Sequence, residues 1–148
     1  SMEEKIQTCE SLFSVKEQFD TIKSLYREIS ELVINRRKSN NRRFIEDIQK
    51  YLEKNYDNPN IGLAMVAEEF GLSEIYLSQF FKEQTGQNFF SYVENLRMNT
   101  AINLLTITDL PIKDISHKVG YNSPAVFRGA FKRYTGMSPT QYRNSMVE

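Results

Sequence analysis

One histidine, His117, and one cysteine, Cys9, are all the imidazole and thiol that the 148 residues carry. Single copies leave no zinc cluster and no nucleophile–base pair of usable spacing. No Gly-rich phosphate loop and no H-E-x-x-H stretch occurs. Glu68-Glu69 reads as a solvated pair beside a helix end. The chain is therefore not read as an enzyme, and no metal or cofactor is expected. His117 and Cys9 read as ordinary helix-face residues. The chemistry that remains is recognition by amide, guanidinium and ammonium groups held on a frame.

Nucleic-acid recognition needs local rather than global positive charge. Nineteen basic and nineteen acidic side chains cancel. Residues 44–148 hold ten basic and twelve acidic groups, and residues 1–43 hold nine and seven. The basic excess sits in Arg36-Arg37-Lys38 and Arg42-Arg43. Charge alone makes no case for DNA, so the case rests on pattern. The 40% hydrophobic and 26% charged content is ordinary for a soluble protein. No run of apolar residues is long enough for a transmembrane helix, and the N-terminus lacks the order of a signal peptide. A lone cysteine suits a reducing compartment, so a cytoplasmic protein with no membrane partner is expected. Ser1 ahead of Met2 reads as a cloning scar, with native sequence expected upstream.

The frame reads as all-α in two parts, residues 1–43 and 44–148. From about Glu3 to Asn35, apolar Leu12, Val15, Phe19, Ile22, Tyr26, Ile29 and Val33 alternate spacings of three and four. That is a heptad stripe on a long amphipathic helix, widened on one flank by Leu25 and Leu32. The period favours a dimerising coiled coil, and a helix docked on its own domain is the alternative. Arg36–Arg43 reads as a polar linker or frayed helix end, either a solvated connector or a segment lying against phosphates. Short helical patterns then follow one another between turn signals. They run from Phe44 to before Asn58-Pro59, over Ile61–Phe70, from Ser73 through Gln84, and from Phe89 or Phe90 through Leu105. Three more begin at Asp109-Leu110-Pro111, Ser123-Pro124 and Ser138-Pro139.

Comparing the chain with itself gives the strongest signal. The segment from Ala64 repeats from Lys113 at an offset of 49 before a turn and 50 after it. Gly71 matches Gly120, Ser73 matches Ser123, Phe81-Lys82 matches Phe131-Lys132, Thr85-Gly86 matches Thr135-Gly136, and Tyr92 matches Tyr142. Each copy has the marks of a helix-turn-helix: an amphipathic helix, a glycine able to take positive φ, and a serine near the next cap. Small Ala67 and Ser116 stand where the two helices approach. In each second helix, Leu77 and Phe81 or Phe127 and Phe131 face inward, leaving the other face free for a major groove.

These residues resemble the AraC/XylS family of bacterial transcription regulators. The likeness in the second unit lies in Ile112, Ile115, Ser116, Val119, Gly120, Tyr121, Phe127, Phe131, Lys132, Gly136, Ser138, Pro139, Tyr142 and Arg143. In the first it lies in Ala67, Phe70, Gly71, Leu72, Ser73, Tyr76, Leu77, Phe80, Phe81, Lys82, Thr85 and Gly86. The helix holding Leu96-Arg97, Ala101 and Leu104-Leu105 resembles the family's linker helix. The resemblance implies a first helix-turn-helix over about 61–86, a linker helix over about 89–106 and a second helix-turn-helix over about 111–136.

It also implies that each second helix reads bases in successive major-groove segments of double-stranded promoter DNA. The first helix then presents Ile75, Ser78 and Gln79, and the second presents Pro124, Ala125, Arg128 and Gly129. Gln79 can bond adenine, Arg128 can bond guanine or phosphate, and Ile75 and Ala125 can touch thymine methyls. Ser73, Lys82, Ser123, Lys132 and Arg133 are the expected phosphate contacts. Tyr76 and Tyr121 read as core or rim aromatics. Gln79 and Gly129 both stand where the family often has arginine. Gly129 offers no side chain to a base, so the second unit is expected to hold DNA more than read it.

The expected function is a sequence-specific transcription regulator, with RNA polymerase among the candidate partners and homodimerisation through the N-terminal helix. The arrangement resembles AraC-type response regulators of two-component systems, whose receiver would lie upstream. The rival is a protein-interaction module built on a degenerate double helix-turn-helix, which the acidic balance of residues 44–148 and Gly129 would suit.

Overall fold

The computed structural model describes residues 2–146, with the side chains of residues 5–14, 35 and 37 outside that description. Leu12, Cys9 and Arg37 therefore fall outside the described side chains. Seven helices follow in order: α1 (Met2–Asn55), α2 (Leu63–Phe70), α3 (Glu74–Thr85), α4 (Phe89–Ile107), α5 (Ile112–Lys118), α6 (Pro124–Thr135) and α7 (Pro139–Ser145). No strand occurs among the described residues. The chain divides into two compact units, Ser1–Arg43 and Phe44–Glu148.

The expected linker at Arg36–Arg43 is helical, and α1 runs through it without a break. Arginine and lysine are good helix formers, and each asparagine costs under about 0.7 kcal/mol relative to alanine. With no Gly or Pro in the stretch, nothing there stops a helix. In the first unit the apolar stripe is open. Val15, Phe19, Ile22, Leu25, Tyr26, Ile29, Leu32 and Val33 are each more than half exposed, as is Met2.

The second unit holds two cores. Ile45, Ile48 and Leu52 at the end of α1 pack with Val66 and Ala67 of α2, Leu77, Phe80 and Phe81 of α3, and Phe89 and Val93 of α4. Met98, Ala101 and Leu105 of α4 pack with Ile115, Val119, Phe127, Ala130 and Phe131. One helix, α4, thus gives its first half to one core and its second half to the other. Its entry is capped by Asn88, whose side chain accepts from the Ser91 amide.

The sequence repeat recurs in the hydrogen bonds. Gly71 and Gly120 take φ of 65° and 88°. After each, the next amide closes the helix end: Leu72 N–H donates to the Ala67 carbonyl at 2.8 Å, and Tyr121 N–H to that of Ser116 at 2.9 Å. Ser73 and Ser123 cap α3 and α6 by accepting from the Tyr76 and Val126 amides. Phe81 meets Tyr92 edge-on at 5.2 Å, and Phe131 meets Tyr142 edge-on at 5.5 Å. Ala67 and Ser116 are both buried, and the Ser116 hydroxyl donates to the Lys113 carbonyl.

Candidate nucleic-acid interface

The candidate interface is built from α3 and α6, helices of 12 residues each. Both bury the same three positions, Leu77, Phe80 and Phe81 in one and Phe127, Ala130 and Phe131 in the other. At 100° per residue this fixes what faces out. Ile75, Gln79 and Lys82 form an exposed row on α3, and Ala125, Gly129 and Lys132 form the corresponding row on α6. Ser78 is half-buried on the flank of the first row, and Arg128 is exposed on the flank of the second. A shallow groove lined by Leu63, Glu74, Ile75, Ser78 and Gln79 runs beside α3. The structure thus places Ile75 with Gln79, and Ala125 with Gly129, on matching exposed rows, with Ser78 and Arg128 beside them. Pro124 lies at the first turn of α6 and is half-buried.

Residues 66–145 match the family model described as a helix-turn-helix domain. The chain belongs to the AraC/XylS family of transcription regulators. The SoxS regulatory protein of Escherichia coli O157:H7 is 30% identical over 104 residues, which cover 70% of this chain and 96% of that protein. The arabinose operon regulatory protein of Escherichia coli K12 is 31% identical over 104 residues, covering 70% of this chain and 36% of that protein. The chain spans between about a quarter and a half of the length of such longer relatives. Among solved structures, the C-terminal domain of AraT, a response regulator from Geobacillus stearothermophilus, is 36% identical with a TM-score of 0.67. That match covers 68% of this chain and 84% of that one.

In this AraC/XylS-family chain the two candidate reading helices differ in charge. Helix α3 carries Glu74, Lys82 and Glu83, whereas α6 carries Arg128, Lys132 and Arg133 with no acid. Lys82 and Lys132 are exposed at equivalent places. Arg133, expected at a phosphate, instead reaches Glu94 of α4, with Nη2 at 2.6 Å from Oε1. The oxygens of Ser73 and Ser123 are occupied as caps, which leaves each hydroxyl hydrogen to donate outward.

One side chain on these faces, Val126, was missed by sequence reasoning, while Tyr76 lies at the rim of the first core. Tyr76, expected in the core or at its rim, is half-exposed and stacks on Phe80 at 5.8 Å with the rings 13° from parallel. Val126, its counterpart on α6, is also exposed. The repeat register would have paired them, since both follow the first residue of the outer row. His117 is exposed on α5. No group of three or more His, Cys, Asp or Glu side chains that could hold a metal ion occurs among the described residues. Among them too, no helix is long and apolar enough to cross a membrane.

Tyr121 is the other aromatic expected at the rim, and it belongs to a junction between the two helix-turn-helix units. The Arg97 guanidinium of α4 lies 5.2 Å from the Tyr121 ring centroid. Its Nε donates to the Tyr56 carbonyl at 2.8 Å and its Nη2 to the Asn58 carbonyl at 2.9 Å. Burial lowers the Arg97 pKa, while Tyr121 and Asp57 act in the opposite direction. Burial, with Glu94 nearby, raises the Tyr121 phenol above its ordinary value, and Arg97 and Arg133 oppose that rise.

Proposed function

We propose that the chain is a sequence-specific regulator that lays α3 and α6 in successive major-groove segments of promoter DNA, roughly 34 Å apart along the duplex. The observation that carries this is the matched pair of outward rows, Ile75-Gln79-Lys82 and Ala125-Gly129-Lys132, on helices held by one shared helix. Gln79 reads a base, and Ile75 and Ala125 contact thymine methyls, with Ser78 and Arg128 on the flanks. Lys82, Lys132 and Arg133, with the Ser73 and Ser123 hydroxyls, hold phosphates. The charge contrast supports a division of labour in which α3 supplies discrimination and α6 supplies attraction.

The exposed heptad stripe of α1 supports a second copy of the chain as its partner. Eight large apolar side chains on one stripe offer an area within reach of the roughly 1,200–2,000 Å² of a standard interface. A receiver or sensory domain upstream, contact with RNA polymerase and a cytoplasmic location belong to the same reading. Membership of the family and the chain's resemblance to a response-regulator domain support these further parts of the reading.

Selection of bound duplexes from a random library tests the function. A conserved site of two half-sites is expected, with affinity falling steeply as salt rises. Failure to bind any duplex at low salt overturns the reading in favour of a protein-interaction module. Sedimentation of the full chain tests the partner, and a monomer at high concentration rejects it.

A further inference from the structure

We propose that Arg97 and Gly120 fix the relative placement of the two reading helices, so that operator half-sites are accepted at one spacing only. The proposal rests on the reading that both α3 and α6 engage DNA. Three elements meet at the junction: the turn after α1, the middle of α4, and the turn between α5 and α6. Arg97 stands on α4 between Val93 of the first core and Met98 of the second. Its planar fork grips two carbonyls of the turn that leads into the first helix-turn-helix, those of Tyr56 and Asn58, while its face lies against Tyr121 of the second helix-turn-helix. Thr100, one turn further on, has its hydroxyl 3.2 Å from that of Tyr56.

Gly120 closes the joint. A β-carbon there would come within 2.8 Å of the Tyr56 carbonyl oxygen, 2.9 Å of the Asp57 carbonyl oxygen and 3.0 Å of Arg97 Nη2. Two of these three atoms are backbone, which cannot swing aside. The repeat supplies its own control. Gly71 holds the equivalent place in the first helix-turn-helix with a similar positive φ, yet a β-carbon there meets nothing within 4 Å. Gly71 therefore answers only to its turn, and Gly120 answers to its turn and to the neighbouring unit. Lysine at 97 could reach one carbonyl but has no fork to hold both and no plane to lie on Tyr121.

The test uses the full chain and the duplex it selects from a random library. Affinity is measured for that duplex and for versions with one base pair added or removed between the half-sites. The wild type should bind the altered spacings about 50-fold more weakly, since α6 then loses the base contacts of Ala125 and Arg128 while α3 keeps its own. Arg97→Ala should lower that penalty to about fivefold or less, with Arg97→Lys between the two. Gly120→Ala should loosen or shift the spacing preference, whereas Gly71→Ala, also at a positive φ, should keep it. A spacing penalty unchanged in Arg97→Ala overturns the proposal and leaves DNA reading intact. Selection of no duplex by the wild type removes DNA reading itself, and the proposal falls with it.

A readout without DNA covers the case in which Arg97→Ala binds poorly. Spin labels at Gln84→Cys and Tyr134→Cys, in a Cys9→Ser background diluted with unlabelled chain, report the distance between α3 and α6. A narrow distribution that broadens in Arg97→Ala supports the proposal. An equally narrow one in a variant of unchanged helicity overturns it.

Discussion

Arg133 of α6 and Glu94 of α4 form an ion pair with Nη2 2.6 Å from Oε1, across 39 residues of sequence. Arg133 is 70% exposed, so the pair is worth little to folding. On the proposed phosphate role its consequence lies in binding, because Arg133 would have to leave Glu94 to reach a phosphate. Glu94→Gln should therefore tighten binding to every duplex by a few-fold, without changing base preference. Fluorescence anisotropy on matched and mismatched duplexes measures this. The same substitution in an Arg133→Ala background should give no gain; a gain there would mean that Glu94 acts by its own charge and not through Arg133.

Gln79 and Lys132 should fail in different ways. Gln79→Ala should lose about 1–3 kcal/mol of preference at one base pair and keep most of its affinity for other sequences. Lys132→Ala should weaken all duplexes alike and reduce the slope of log affinity against log salt by about 0.9. Competition binding with a set of single-base variants separates the two, and sequence-blind losses from both would remove Gln79 as a reader.

Gly129 sits in the middle of α6, and a β-carbon there would meet nothing within 4 Å. Glycine inside a helix costs roughly 0.5–1 kcal/mol relative to alanine. Gly129→Ala should thus stabilise the chain by about that amount, read as a higher urea midpoint with unchanged slope. DNA affinity should hold or rise. A sharp loss of affinity in this stabilised variant would place the DNA backbone against the helix at Gly129, closer than the outward row implies.

The repeat was legible in the sequence because both copies solve the same local problem. Gly71 and Gly120 both need positive φ, Ser73 and Ser123 both cap, and Phe81 and Phe131 both meet a tyrosine eleven residues on. From that register the inward faces follow, and with them the outer rows. The Arg36–Arg43 stretch misled because polarity and paired asparagines resemble a linker, although a helix is ended by Gly, Pro or a missing tertiary contact and not by polarity. Val126 was hidden because branched apolar residues are more often buried than displayed. The Arg97 junction was out of reach for another reason. It joins residues up to 41 positions apart, and it is the place where the two copies differ, so neither periodicity nor self-comparison could point to it.

The phenols of Tyr92 and Tyr121 connect this packing to pH. Burial is the largest cause that raises both above the ordinary phenol value of 10.0, aided by Glu53 at Tyr92 and Glu94 at Tyr121. A phenol with a raised folded pKa binds its proton more tightly when folded than when unfolded. Its stabilising contribution is therefore complete below the unfolded value of 10.0 and is lost as pH rises through the folded value. Stability should fall over the range that begins near pH 10, the unfolded value, and runs upward through the folded values. Tyr121→Phe keeps the ring against Arg97 and removes the ionisable group, so its fall over that range should be shallower than the wild type's. Urea midpoints at both ends of the range measure the difference. Equal losses in the two proteins would show that Tyr121 ionises as readily in the folded chain as in the unfolded one, and that its hydroxyl is open to water rather than held in the junction.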